Sequence, residues 1–270
     1  MFNYTSSNLN NLILQERNLL DTANNNVANI INPQGTSRFV LICEHASHHI
    51  PKKYNNLGLS QNAIERHIGW DIGAQALAIE MSKLLNAPLI LQTQSRLLYD
   101  CNRPPSADTA IIELSESTPI PGNCDLNDAQ KQARADDIYY PFHQSITDLL
   151  DQRAAKTQSV IVTIHSFNPT YNGETRSLDI GIINDQEASW ATQLTLAANA
   201  QHTHLEITQN EPYSAADDVT HTLALHGTKR ALYNVMIEVN NARITHEDGQ
   251  LEYAKILAEL LKNNIPSDQL

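Results

Sequence analysis

The stretch Arg38–Ser47, RFVLICEHAS, constrains this chain more than any other. Phe39 to Cys43 is a short, bounded run of apolar and mostly branched residues, the composition of a strand buried on both faces of a sheet. It stops abruptly at Glu44-His45, with Ser47, His48 and His49 close behind. A buried strand that ends in polar, metal-competent groups is how an open α/β sheet presents a site beyond its carboxyl edge. His45, and with it Glu44, is therefore a candidate metal ligand. The competing reading is an exposed loop that is merely polar.

The same design recurs about 120 residues later, where Val160–Ile164 runs into His165-Ser166-Phe167. Further strands are expected at Leu89–Leu91, Leu178–Ile183, His204–Thr208 and Val235–Val239. The last of these carries Glu238 in mid-run, and a carboxylate there must face a partner or a metal. Helices alternate with the strands. Ser60 is placed to cap a short helix over Gln61–His67. Ala74, Leu77, Ala78, Met81, Leu84 and Leu85 recur at helical spacing. Asp71, three residues ahead of Ala74 on the same face, is either a helix cap or a carboxylate offered to a site. Helical patterns also cover 127–156, with a break or kink expected at Pro141, about 187–200, and 252–261. Residues 106–125 read as a long surface loop of the kind that often binds or covers a site. Strands alternating with helices imply a largely parallel sheet covered on both sides.

The chain has 270 residues, 41 % of them apolar, enough for one sizeable core, and no internal repeat divides it. We expect an amino-terminal arm over 1–36, with a helix about Asn8–Leu20, and a single domain over 37–270. A net charge of −12 argues against nucleic acid or an anionic membrane as partner. Three unpaired cysteines suggest a reducing compartment. The first residues lack a basic segment followed by an apolar one, and no apolar run is long enough to cross a bilayer, so the expected location is the cytoplasm.

Four groups stand out by placement: His45 and His165 at strand ends, Asp71 at a helix start, and Glu238 on the final strand. Two imidazoles and a carboxylate make the three protein ligands of a catalytic zinc, which keeps a fourth position for water. A further carboxylate can take the proton of that water and pass it to a leaving amine. A carboxylate-bearing substrate needs fixed cations, for which arginine offers a bidentate fork. Arg96, Arg103 and Arg176 are the candidates. Ser166, Asn210, Tyr213 and His143 are second candidates for orienting ligand or substrate, and the remaining histidines are assigned to surface or structure, His226 being less clear-cut.

The segments CEHASHHIP (43–51), HIGWDIGA (67–74), SRLLYDCNRPP (95–105), YYPFHQSI (139–146), IHSFNP (164–169), NEPYS (210–214) and IEVNN (237–241) resemble, in order, the signature blocks of the N-formylglutamate amidohydrolase family. The resemblance spans roughly residues 37–262. It implies a three-layer α/β/α fold with a mixed, mostly parallel sheet, phosphorylase/hydrolase-like and related to zinc carboxypeptidases. It implies a metal-dependent amidohydrolase that cleaves an N-formyl or other N-acyl amino acid such as N-formylglutamate. The divalent metal, zinc first, would be held by His45, Asp71 and His165, with Glu44 in reserve for the carboxylate and Glu238 as general base and acid. A peptidoglycan or peptide amidase of the same fold, and a catalytically silent binding or sensor homologue, are the rival readings. One departure concerns substrate rather than metal. The family's last block carries an arginine and an aspartate soon after the glutamate. Here Asn240 and Ala242 stand in those places, with Arg243 one further on.

Overall fold

The computed structural model describes residues 26–171 and 173–266. Their centre is a seven-stranded sheet of order β1-β3-β2-β6-β11-β9-β10. Its strands are β1 (Ala28–Ile31), β2 (Phe39–Cys43), β3 (Leu89–Gln92), β6 (Val160–Phe167), β9 (Ile180–Ile183), β10 (Ile207–Gln209) and β11 (Asn234–Asn240). Two small hairpins, β4–β5 (Leu114–Ser115, Thr118–Pro119) and β7–β8 (Thr170–Tyr171, Glu174–Thr175), lie outside it. The neighbours β3, β2, β6 and β11 are mutually parallel, whereas β1 runs against β3, and β9 against β11. The sheet is thus mixed and mostly parallel.

Among the described residues six α-helices accompany the sheet: α1 (Gln61–Ile64), α2 (Ala74–Leu85), α3 (Asp128–Arg134), α4 (Tyr140–Ala154), α5 (Ser189–Gln201) and α6 (Glu247–Asn263). Because successive strand residues point to opposite faces, the buried strands feed two cores. On one face Leu41, Val162 and Ile237 pack under α2, α5 and α6, with Leu77, Met81, Leu194 and Leu257 among the contributors. On the other, Ile42, Ile161 and Met236 pack under Phe142 and Ile146 of α4 and the segment Leu97–Cys101. Helices cover both faces of the sheet, giving three layers.

The alternation of faces also positions chemistry. On β6 the second core takes Ile161, so His165, four residues on, points to the same side. On β11 it takes Met236, so Glu238 does likewise. In the parallel pairing of these strands Glu238 stands opposite His165. Both groups therefore meet at the carboxyl end of the sheet.

Several expectations change in detail. The helix expected about Asn8–Leu20 lies outside the described residues. The last part of the segment expected as an arm enters the sheet itself, as edge strand β1 paired with β3. The break or kink expected at Pro141 takes the form of a wider π turn over Ala135–Tyr139 that links α3 to α4, with Pro141 in α4's first turn. Helix α1 ends at Ile64, short of the expected His67, although Ser60 does cap it through the N–H of Ala63. His165 is not beyond its strand, since the ladder with β11 carries β6 on to Phe167.

Candidate active site

Strand β2 ends at Cys43, so the chain turns at Glu44-His45 and both side chains reach the interior. The turn over residues 69–72 is tied down on three sides. The N–H of Asp71 donates to the carbonyl of His45 (2.9 Å), the Ser95 hydroxyl to the carbonyl of Gly69 (2.7 Å), and the Ser166 hydroxyl to that of Ile72 (2.8 Å). Gly73 then adopts φ +81°, and a β-carbon there would lie 2.3 Å from the carbonyl oxygen of Ile244, so only glycine allows this entry into α2. Asp71 is thus held ahead of the helix. Its side chain does not cap α2, whose N-cap is Gly73.

The Asp71 carboxylate goes instead to the histidines. Its Oδ2 lies 2.9 Å from His165 Nδ1 and 3.3 Å from His45 Nδ1, and the two Nδ1 atoms are 3.2 Å apart. The ligand atoms of His45, Asp71 and His165 all fall within 4.8 Å of one another, and all three residues are buried. The far nitrogens are occupied by carboxylates. His45 Nε2 meets Asp100 Oδ1 at 2.7 Å, and His165 Nε2 lies 3.1 Å from Glu44 Oε2. The Arg96 guanidinium bridges the carboxylates, donating to Asp71 Oδ1 (3.3 Å) and Asp100 Oδ2 (2.7 Å).

Glu44, Asp71, Asp100 and Glu238 are four buried carboxylates around one engaged guanidinium, so the cluster attracts positive charge. Burial and Arg96 push His45 down, but Asp100 and Asp71 outweigh them and raise it. Burial likewise opposes charge on His165, yet Glu44 and Asp71 lift it well above the ordinary imidazole value. Burial works against the charged forms of Asp71 and Asp100, but His45 and its neighbours hold both carboxyls below their usual range. Glu238 differs: burial dominates and pushes it up to about 7, where it can both accept and return a proton. Two adjacent Nδ1 atoms beside a carboxylate oxygen, in a pocket with excess negative charge, suit a divalent cation.

A cavity of about 150 Å³ opens on this group, lined by His45, Asp71, Arg96, Asn102, Arg103, His165, Ser166, Tyr213, Val219 and Glu238. Of the residues singled out from the sequence, eight therefore share one cavity wall. Glu44 stands behind it, against His165. Arg103 donates from Nη1 to the carbonyl oxygens of Asn102 and Asp218 and forms no ion pair among the described residues. Arg176 reaches the cavity only through Tyr213, donating to its hydroxyl at 3.3 Å while its guanidinium stacks on the Tyr171 and Tyr213 rings.

Two candidates lie elsewhere. Asn210 exchanges hydrogen bonds with Asn184, from its Nδ2 to Asn184 Oδ1 and from the Asn184 N–H to its Oδ1, a turn staple rather than a cavity group. His143 is buried beneath the site between Cys101 and His226. Arg243, the residue next to the departing block, turns outward to Asp179 (2.7 Å). The residues not singled out are Asp100 and Asn102. Their signal was present in DCNRPP, where Asp100 is flanked by Tyr99 and Cys101, both buried, but nothing in the spacing tied it to His45.

Sheet and site together define a three-layer α/β/α fold with its polar cluster at the carboxyl ends of parallel strands. The chain belongs to the N-formylglutamate amidohydrolase family, whose sequence profile matches residues 37–245. Among solved structures, a gene product of Agrobacterium tumefaciens (Atu2144) is 41% identical, with a TM-score of 0.86 over 88% of this chain and 94% of that one. An N-formylglutamate amidohydrolase from Ralstonia eutropha JMP134 is 14% identical, with a TM-score of 0.58 over 87% of this chain and 95% of that one, a likeness of fold alone. No curated protein matches the chain. Among the described residues no helix is long and apolar enough to cross a membrane.

Proposed function

We propose that this amidohydrolase cleaves the amide bond of an N-formyl or other short N-acyl amino acid, such as N-formylglutamate, in a metal-dependent reaction. The observation that supports it most is the convergence of His45 Nδ1, Asp71 Oδ2 and His165 Nδ1 beside Glu238, whose Oε2 has no hydrogen-bond partner among the described residues. A divalent metal, zinc first, held by those three atoms would supply Lewis acidity to the attacking water and the scissile carbonyl.

The chain's own groups account for the remaining tasks. Glu238, opposite His165 on the neighbouring strand, accepts the proton of water as its oxygen bonds to the acyl carbon. It then delivers that proton to the amide nitrogen as the C–N bond breaks, releasing the acyl acid and the free amino acid. Arg96 keeps Asp71 and Asp100 oriented. Arg103, and Arg176 through Tyr213, supply cationic recognition for substrate carboxylates at the cavity. Ser166 fixes Asp71 by donating its backbone N–H to Oδ2 at 3.2 Å. The sparse, unpaired cysteines support a cytoplasmic setting.

The deciding experiment is a hydrolysis panel of N-formyl, N-acetyl and N-succinyl amino acids, following release of free amine with and without added zinc. At least one substrate is expected to turn over only with metal, and Glu238→Gln is expected to lower kcat by roughly 10²- to 10⁴-fold while zinc still binds. No turnover anywhere in the panel, or full activity in Glu238→Gln, refutes the proposal.

A further inference from the structure

Glu44 is the charged group of the site that the proposed reaction leaves without a task. Its side chain is fully enclosed, and among the described residues its nearest donors, His165 Nε2 and the Thr222 hydroxyl, make no well-aligned hydrogen bond to either carboxylate oxygen. Asp71 accepts from Arg96 and the Ser166 N–H, and Asp100 from Arg96, His45 and the Asn102 N–H. The one charged neighbour within ion-pair distance of Glu44 is His165, whose Nε2 lies 3.1 Å away. Enclosing an ionised carboxylate without compensation is strongly unfavourable. What relieves that cost here is positive character on the far side of a single imidazole ring.

We propose that Glu44 is a positioning residue: its carboxylate keeps the His165 proton on Nε2 and so leaves Nδ1 unprotonated toward His45 Nδ1 and Asp71 Oδ2. The inference rests on the reading of those three residues as metal ligands. The ring offers only two orientations, and the observed one places Nδ1 2.9 Å from Asp71 and 3.2 Å from His45 while Nε2 faces Glu44. His45 is arranged in the same sense, with Asp100 on its Nε2 at 2.7 Å, so both imidazoles turn the same atom to one centre.

The two supporting carboxylates are not equivalent. Asp100 shares its charge with Arg96 at 2.7 Å, whereas Glu44 has no cationic side chain beside it except His165. Glu44 therefore directs its charge chiefly at the His165 ring, and a carboxylate on the distal nitrogen both fixes the tautomer and makes the ligand nitrogen a better donor. The sequence hides this division, because Glu44 adjoins one histidine in the chain and serves the other in space.

The test compares zinc binding by chelator competition in the full-length protein and in Glu44→Gln, which keeps the shape and removes the charge. The wild type is expected to bind one equivalent, and Glu44→Gln to bind about 10- to 100-fold more weakly. A residue that only fills space leaves the affinity unchanged, and that result overturns the role of Glu44. A second measurement needs no Glu44 variant and decides the matter if Glu44→Gln does not fold. In the metal-free wild type labelled with ¹⁵N-histidine, at a pH where His165 is neutral, His165 is expected to carry its hydrogen on Nε2, assigned by loss of the signal in His165→Ala. A hydrogen on Nδ1 overturns the proposal. Failure is separable from failure of the ligand reading: zinc binding that persists in His45→Ala and His165→Ala overturns both, whereas normal wild-type binding that Glu44→Gln leaves untouched overturns this inference alone.

Discussion

His143 and His226 form a buried pair that makes the fold sensitive to acid. The His143 Nε2–H donates to the carbonyl of Cys101 at 2.8 Å, so its Nδ1 is left to accept the Nε2–H of His226 at 2.9 Å. That arrangement requires His143 to be neutral, since its Nδ1 must accept. Burial pushes His143 down to about 4 and His226 down to about 3, the neighbouring imidazole adding to the effect on His226. In the unfolded chain both protonate near the ordinary value of about 6.5. Between these limits the unfolded state binds more protons, so the pair's contribution is complete above about pH 6.5 and is lost as the pH falls below it. At about pH 5 each unfolded imidazole gains about 2 kcal/mol that its folded counterpart does not, or about 4 kcal/mol for two. Denaturant unfolding of the metal-free protein at about pH 7.5 and about pH 5, compared with His143→Gln/His226→Gln, isolates the pair, since His45 and His165 titrate in both proteins. The wild type is expected to lose about 3 to 4 kcal/mol more than the double variant over that interval. Equal losses refute the argument.

The remaining predictions concern the scaffold of the site. Arg134, 6 % exposed and without a carboxylate partner, donates to the carbonyls of Leu98 and Gly122 and to Asn123 Oδ1. Arg134→Met strands those acceptors and is expected to cost about 3 kcal/mol in thermal or denaturant unfolding. Gly73→Ala is expected to cost at least about 2 kcal/mol and to weaken zinc binding, because the displaced turn carries Asp71 with it; titration calorimetry and a melting curve report the two effects. Asn210→Ala is expected to lower stability by about 1 kcal/mol and leave KM unchanged, as fits a turn staple. Zinc at about 100 times its Kd is expected to stabilise the protein by about 2.7 kcal/mol, a gain absent from His165→Ala.

Much of the site was legible before the fold. Apolar runs that stop at His45 and enclose His165 and Glu238 announce themselves, because a buried strand tolerates such groups only where something meets them. Asp71 was ambiguous, since a carboxylate ahead of a helix reads equally as a cap. Gly73 and the three hydrogen bonds around residues 69–72 resolve it, and none of these has a local signature. Asn210 and His143 show the opposite failure: both stand in suggestive segments, yet their hydrogen bonds are spent on Asn184, Cys101 and His226.

The sequence by itself determined the alternation of strands and helices, the two-faced burial of the sheet and the residue types available at its carboxyl edge, because hydrophobic period and strand termination are local properties. Strand order and side-chain pairing belong to the tertiary structure alone. Only pairing of β6 with β11 sets Glu238 opposite His165. Only the end of β2 at Cys43 lets neighbouring residues diverge, so that His45 lies beside His165 on one side of its ring while Glu44 lies against the other. Such assignments depend on distances between segments some 120 residues apart in the chain, which no local pattern encodes.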